Sequence, residues 1–191
     1  MRPQILDHVE SLGHAVFEKG LYNLNIIGVR TPDDSANKFN DHMHVVYKDE
    51  HGWVTRTWQC TTDPGVYWRE HPMNVNGTAI LVADQYRGSH KIGLHRGKYK
   101  ALVQTGGRVR VYRDDNKDDI LDMDPATEQD GYFGINLHKA GSHSTEVDKW
   151  SAGCQVWANA DDFACFMAIV EKSAETYGPQ FTYTLIDDPD S

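Results

Sequence analysis

Cys154 and His138 are the residues whose types and spacing first invite chemistry. Cys154 closes the run Trp150-Ser151-Ala152-Gly153-Cys154, and His138 lies sixteen positions before it. A thiol becomes a useful nucleophile when a nearby imidazole takes its proton and backbone amides receive the oxyanion formed on an attacked carbonyl. Gly153 allows a sharp turn ahead of the sulfur, so the Gly153 and Cys154 N–H groups can point into one pocket. Residues 140–151 are polar, Gly/Ser-bearing and long enough to loop back, which predicts His138 and Cys154 on neighbouring strands. That combination is suited to acyl transfer. His143, in Gly-Ser-His-Ser, is the rival imidazole. His138 is preferred because it ends a predicted strand, whereas a loop histidine is usually solvated.

The remaining thiols and imidazoles read differently. Three cysteines with no CxxC spacing suggest neither a disulfide framework nor a zinc ribbon, and an odd number leaves at least one thiol free. Cys60 ends a predicted strand, and Cys165 sits in Phe163-Ala164-Cys165-Phe166-Met167, read as the apolar side of a helix; both are expected to be structural. Among ten histidines, His42 and His44 share one face of a strand, and His90 and His95 lie in a Gly-bearing connector over 88–97. A zinc-dependent hydrolase drawing on His42, His44, His90, His95 and His138 is therefore an alternative. Nothing resembles His-Glu-x-x-His, and no metal or cofactor is assigned.

These residues need elements to position them. Ile5, Val9, Leu12, Val16 and Phe17 fall at helical spacing, predicting a leading amphipathic helix over 3–19 with Gly20 as its C-cap. Short turn-bounded runs rich in Val, Ile, Tyr and Trp predict strands at 24–30, 44–48, 54–60, 78–82, 101–105, 108–113, 134–138 and 181–186. Asn159 or Ala160 begins a helix that runs to Tyr177 and is capped by Gly178. The chain thus reads as one mainly β domain over 1–191, α+β overall, with a helix at each end and neither repeat nor linker.

His138 followed by Ser151-Ala152-Gly153-Cys154 resembles the L,D-transpeptidase catalytic domain, whose motif is a His, a variable loop, then Ser/Thr-His-Gly-Cys. The likeness extends over about residues 24–187 and includes the turn Thr62-Asp63-Pro64-Gly65. It implies a β-sandwich or barrel-like core, with the leading helix, 1–20, outside it. It also implies that Cys154 carries a thioester, His138 is the proton acceptor, the Gly153 and Cys154 amides form the oxyanion hole, and Ser151 shapes the turn. Gln155, Trp157, His143, Tyr86 and His95 are the residues expected to meet substrate. Ala152 stands where the family has a second His, and Gln155-Val156 where it has a hydrophobic residue and Arg or Asn. The departures shift the expectation from cross-linking toward hydrolysis of a peptidoglycan stem peptide, with transpeptidation and a non-catalytic wall binder as alternatives.

Composition bounds the partners. The 39% hydrophobic content supports an ordinary core, and no stretch has the bias of a disordered segment. A net charge of -9 with scattered Lys and Arg argues against a nucleic-acid groove. The same charge weakens non-specific attraction to an anionic wall, so activity there would depend on a shaped site. No apolar run approaches a membrane span, and the first residues lack a secretory pattern. The expectation is synthesis in the cytoplasm with later release onto the wall, as for a phage lysin; the residues set no oligomeric state.

Overall fold

The computed structural model describes residues 1–33 and 37–188. After helix α1 (Gln4–Ser11) come β1 (Asn25–Arg30), β2 (Asp41–Asp49), β3 (Gly52–Thr61), a short helix α2 (Val66–Glu70), β4 (Thr78–Leu81), β5 (Asp84–His95), β6 (Tyr99–Val103) and β7 (Val109–Asp114). The second half holds β8 (Gln129–Gly131), β9 (Leu137–Lys139), β10 (Gln155–Trp157), α3 (Ala160–Tyr177) and β11 (Gln180–Asp187). Eight strands close into a barrel in the order β1-β11-β5-β6-β9-β10-β3-β2, and β4, β7 and β8 form a separate three-stranded sheet. The mainly β expectation therefore holds, as a closed barrel with an appended sheet. Among the described residues no helix is long and apolar enough to cross a membrane.

Strand β1 is buried along its whole length because it has cover on both faces. Ile26 points into the barrel beside Met43, Val45 and Leu185. Ile27 and Val29 point outward, where Leu6 and Val9 of α1 cover them together with Val46 and Ile186. The helix is much shorter than the spacing through Phe17 predicts. Gly13 adopts φ +83°, which ends it. Beyond that point the Asn25 side chain accepts from the Phe17 N–H (2.7 Å) and donates to the Phe17 carbonyl (2.9 Å), satisfying extended backbone.

Helix α3 keeps the predicted bounds. Asn159 caps it by accepting from the Asp161 (2.7 Å) and Asp162 (3.4 Å) amides. Its buried face is Phe163, Phe166, Met167 and Val170, at the i, i+3, i+4, i+7 positions, packed on Trp157. Cys165 falls off that stripe and is exposed, which corrects its reading as a core thiol; Cys60 is buried inside the barrel. The principal omission at the sequence level is β5, a twelve-residue strand read there as a connector from Gly88 onward. Its glycines answer to packing: a Cβ on Gly93 would lie 2.5 Å from Val103 Cγ2 on β6.

Candidate active site

Strands β9 and β10 run parallel, pairing Gln155 with Leu137, Val156 with His138 and Trp157 with Lys139. A parallel pair requires a crossover of a dozen or more residues, and residues 140–154 supply it. The crossover is fastened rather than loose. Ala140 and Ser144 donate to the Trp157 and Ala158 carbonyls, Val147 to the Asn37 carbonyl, and Trp68 Nε1 to the Lys149 carbonyl. The spacing between His138 and Cys154 is therefore the length of one crossover.

Gln155 and Trp157 point into the barrel, so Cys154 and Val156 alternate to its outer face, and His138, opposite Val156, shares that face. Gln155 Oε1 accepts from the Tyr183 hydroxyl at 2.7 Å, and its Nε2 donates to the Thr62 (3.2 Å) and Gly153 (3.3 Å) carbonyls. The residue after the candidate nucleophile is thus bolted inside the barrel. Arg30 continues this interior polar network, pairing with Asp63 at 2.9 Å.

The turn before the sulfur is built on two residues. Gly153 has φ +120°, and a Cβ there would lie 2.5 Å from the Ala79 carbonyl oxygen. The Ser151 hydroxyl donates to the Cys154 carbonyl at 2.7 Å and accepts from the Gly153 N–H at 3.1 Å. This corrects the expected oxyanion pair: the Gly153 N–H is already engaged, whereas the Cys154 N–H has no acceptor among the described residues.

The Cys154 thiol is half-buried. It donates to the Gly134 carbonyl (3.3 Å) and accepts from the Asn136 N–H (3.4 Å); no hydrogen bond joins it to His138, which lies diagonally across the parallel pair, two positions further along. Burial pushes the thiol up to about 11, against a smaller lowering by the Asn136 N–H. At neutral pH the resting sulfur is therefore protonated.

His138 is buried, with Nδ1 at 2.9 Å from the Lys139 carbonyl and the Tyr99 hydroxyl nearby at 3.4 Å. A carbonyl only accepts, so Nδ1 must carry the proton and Nε2 must hold the lone pair of a base. Burial first, and the His95 ring second, lower His138 to about 3. His95 stacks on His138 with centroids 4.0 Å apart and planes inclined by 21°. His95 Nδ1 faces the Asn136 amide nitrogen at 3.2 Å, because Asn136 Oδ1 is taken by the Gln104 N–H at 2.9 Å. Two stacked rings of this kind resist holding a second positive charge, so His138 stays neutral.

Gln104 organises the other wall. Its Oε1 accepts from the Phe133 (3.0 Å), Gly134 (2.9 Å) and Ile135 (3.2 Å) amides, while Nε2 donates to the Gly107 and Gly131 carbonyls. The segment that grips the thiol is thereby held at one end by a single buried amide. Next to the turn lies a cleft of about 290 Å³ lined by Trp68, Tyr132, Phe133, Arg113 and Ala152 among others.

The structure brings together Cys154, His138, Ser151, Gly153 and His95. The other residues expected to meet substrate lie as follows. Gln155 is a buried tether, and Trp157 is fully buried against Phe166 at 4.4 Å, so exposing it would forfeit roughly 2–3 kcal/mol of burial. The Tyr86 hydroxyl is committed to the Val82 carbonyl at 2.6 Å inside the core. His143 is exposed and sits in an isolated bridge to Asn159. Residues the sequence did not single out, Asn136, Tyr99, Gln104 and Arg113, do more of the local work; their one signal is a polar residue type inside or beside a predicted strand.

Of the histidines of the zinc alternative, only His95 and His138 are stacked together, and the others lie apart from them. His90 is bonded within the core to Ser89 and the Ile135 carbonyl, and the His42 and His44 rings lie on β2, 6.3 Å apart. Among the described residues no group of three or more His, Cys, Asp or Glu is placed to hold a metal ion. Comparisons with family models, with curated proteins and with solved structures returned no match.

Proposed function

We propose that the chain is a cysteine-dependent acyl-transfer enzyme that hydrolyses a peptide bond in peptidoglycan stem peptides, with a site of the L,D-transpeptidase kind. The observation that carries this reading is the shared outer face of β9 and β10. There Cys154 shares a face with His138, two positions along the parallel pair, a buried neutral imidazole whose Nδ1–H is fixed on the Lys139 carbonyl. As Cys154 Sγ attacks the substrate carbonyl carbon, the thiol proton passes to His138 Nε2 and the oxyanion takes the Cys154 N–H. Collapse breaks the C–N bond, His138 returns the proton to the leaving amine, and a thioester remains. Water then adds to the thioester carbonyl, giving its proton to His138, and the thiolate leaves and recovers that proton. An amine in place of water turns the same thioester into a cross-link.

The test is incubation of wild-type and Cys154→Ala protein with purified sacculi, followed by mass analysis of soluble muropeptides. Peptide-cleaved products from the wild type alone are expected, and they name the bond. Identical empty profiles from both proteins overturn the reading and leave a binder, a different substrate or a metal-dependent activity.

A further inference from the structure

Arg113 lies on β7 opposite Ala79, and its residue is only 8% exposed. Its Nε donates to Gln129 Oε1 at 2.9 Å and its Nη1 to the Gly77 carbonyl at 3.2 Å. The guanidinium carbon sits 4.9 Å from the Phe133 ring centroid. Both hydrogen-bond partners are neutral, and among the described residues no carboxylate forms an ion pair with Arg113, whereas buried Arg30 has Asp63. Among the described residues Nη2 has no hydrogen-bond partner, and it is not fully enclosed: the residue lines the 290 Å³ cleft beside Ala152. Burial without a compensating anion holds its pKa below the ordinary guanidinium value. A buried charge is normally paired, because desolvation is costly unless an opposite charge offsets it. Arg113 lacks that partner and keeps one donor edge free toward an aromatic-walled opening.

We propose that this cleft is a carboxylate subsite in which Arg113 Nη2 binds a free carboxylate of the peptide substrate, with Trp68 and Tyr132 flanking it. The assignment rests on the hydrolase reading for the identity of the ligand as a peptide. The cleft's position supports that link: Ala152 on its wall is two residues before Cys154. Phe133, under the guanidinium, belongs to the same Gln104-bound segment whose Gly134 carbonyl receives the thiol. A cationic Nη2 donor beside an aromatic face favours a carboxylate over the neutral amide.

The experiment is calorimetric binding of N-acetyl-D-alanyl-D-alanine and of its C-terminal amide to the full chain carrying Cys154→Ala, which prevents turnover. The acid is expected to bind at least about tenfold more tightly than the amide. Adding Arg113→Gln is expected to bring the ratio to about one, and Arg113→Lys to keep part of it. Because Arg113 also bonds Gly77 and Gln129, Ala152→Glu provides a second variant. It places a carboxylate in the cleft, leaves those bonds in place, and is expected to abolish the preference. Equal binding of acid and amide, or binding of neither at about 10 mM, overturns the subsite. A preference that survives both Arg113→Gln and Ala152→Glu overturns it as well. Muropeptide release by the wild type with no acid preference removes the subsite alone. Acid preference lost in Arg113→Gln without any muropeptide release removes the hydrolase alone.

Discussion

Alkylation of the free thiols tests the resting state of the site. With its pKa near 11, Cys154 is about one part in a thousand thiolate at pH 8. An unperturbed cysteine near 8.5 is roughly a quarter ionised there, a deficit of roughly 200-fold. A more basic thiolate is also the better nucleophile, and a Brønsted slope of about 0.4–0.5 over this interval returns roughly 10- to 20-fold. Toward iodoacetamide, Cys154 is therefore expected to react about 10- to 30-fold more slowly than an ordinary exposed thiol, with exposed Cys165 as the internal standard. The rate is expected to rise about tenfold per pH unit from 6 to 9 without a plateau. Because the small electrophile needs no proton acceptor, His138→Gln should leave this rate within about threefold while lowering muropeptide release by about 10²- to 10⁴-fold. Peptide mapping by mass spectrometry across the pH series gives each site's rate. An inflection between pH 5 and 8, or Cys154 outpacing Cys165 at pH 7, would refute the neutral pair and require a preformed thiolate and imidazolium.

Three further outcomes are expected. Gly153→Ala combines a positive φ with a Cβ 2.5 Å from a backbone oxygen and should cost about 3 kcal/mol or more in urea unfolding; a loss below about 0.5 kcal/mol would mean the turn relaxes freely. Gln104→Met leaves three amides of the thiol-gripping segment unbonded and should cost about 3 kcal/mol or more, at about 1–3 kcal/mol per amide, with muropeptide release lost under conditions where circular dichroism still reports a folded chain. His138 and His90 are lowered in the folded state to about 3 and about 4, chiefly by burial, so the unfolded chain binds protons first as pH falls below about 6.5. Each such histidine should contribute a fall of about 2 kcal/mol between pH 7.5 and 5, His44 being lowered to about 4 as well, while Asp63 and Asp114, raised by burial to about 7 and about 6, oppose the fall; His138→Gln should remove about 2 kcal/mol of it, and an unchanged fall in the variant would contradict the buried neutral ring.

The elements whose pattern carries its own cause were legible in the sequence. Helix α3 has a cap, a stripe and a terminating glycine, and its bounds follow from them. Strands β2, β3 and β7 have alternation or β-branched runs between turn residues. Strand β5 is obscured because Gly88 and Gly93 make room for neighbours on β11 and β6, and those neighbours are remote in sequence. The leading helix is overextended for a similar reason: Val16 and Phe17 keep helical spacing, but the Asn25 side chain takes the Phe17 backbone. At the site, a turn of Ser, Gly and Cys and one crossover length were enough to pair Cys154 with His138 as neighbouring-strand residues. The direction in which Gln155, Trp157 and Tyr86 point depends on barrel closure, which a linear pattern does not encode. Arg113 has no mark in the sequence beyond its place in a predicted strand, because the Phe133 ring against it is twenty residues away.

Closure also limits how a peptide can be recognised. Strand β9 already has β6 and β10 as neighbours, and β10 has β9 and β3, so neither offers a free row of backbone donors and acceptors. A substrate cannot be read there by lying down as an additional strand, the usual way an extended peptide is gripped without regard to its side chains. A peptide that reaches Cys154 therefore takes no backbone ladder from β9 or β10 and relies there on its ends and side groups. Masking its internal amides by N-methylation, away from the bond attacked, should leave recognition largely intact, whereas altering its charged termini should not.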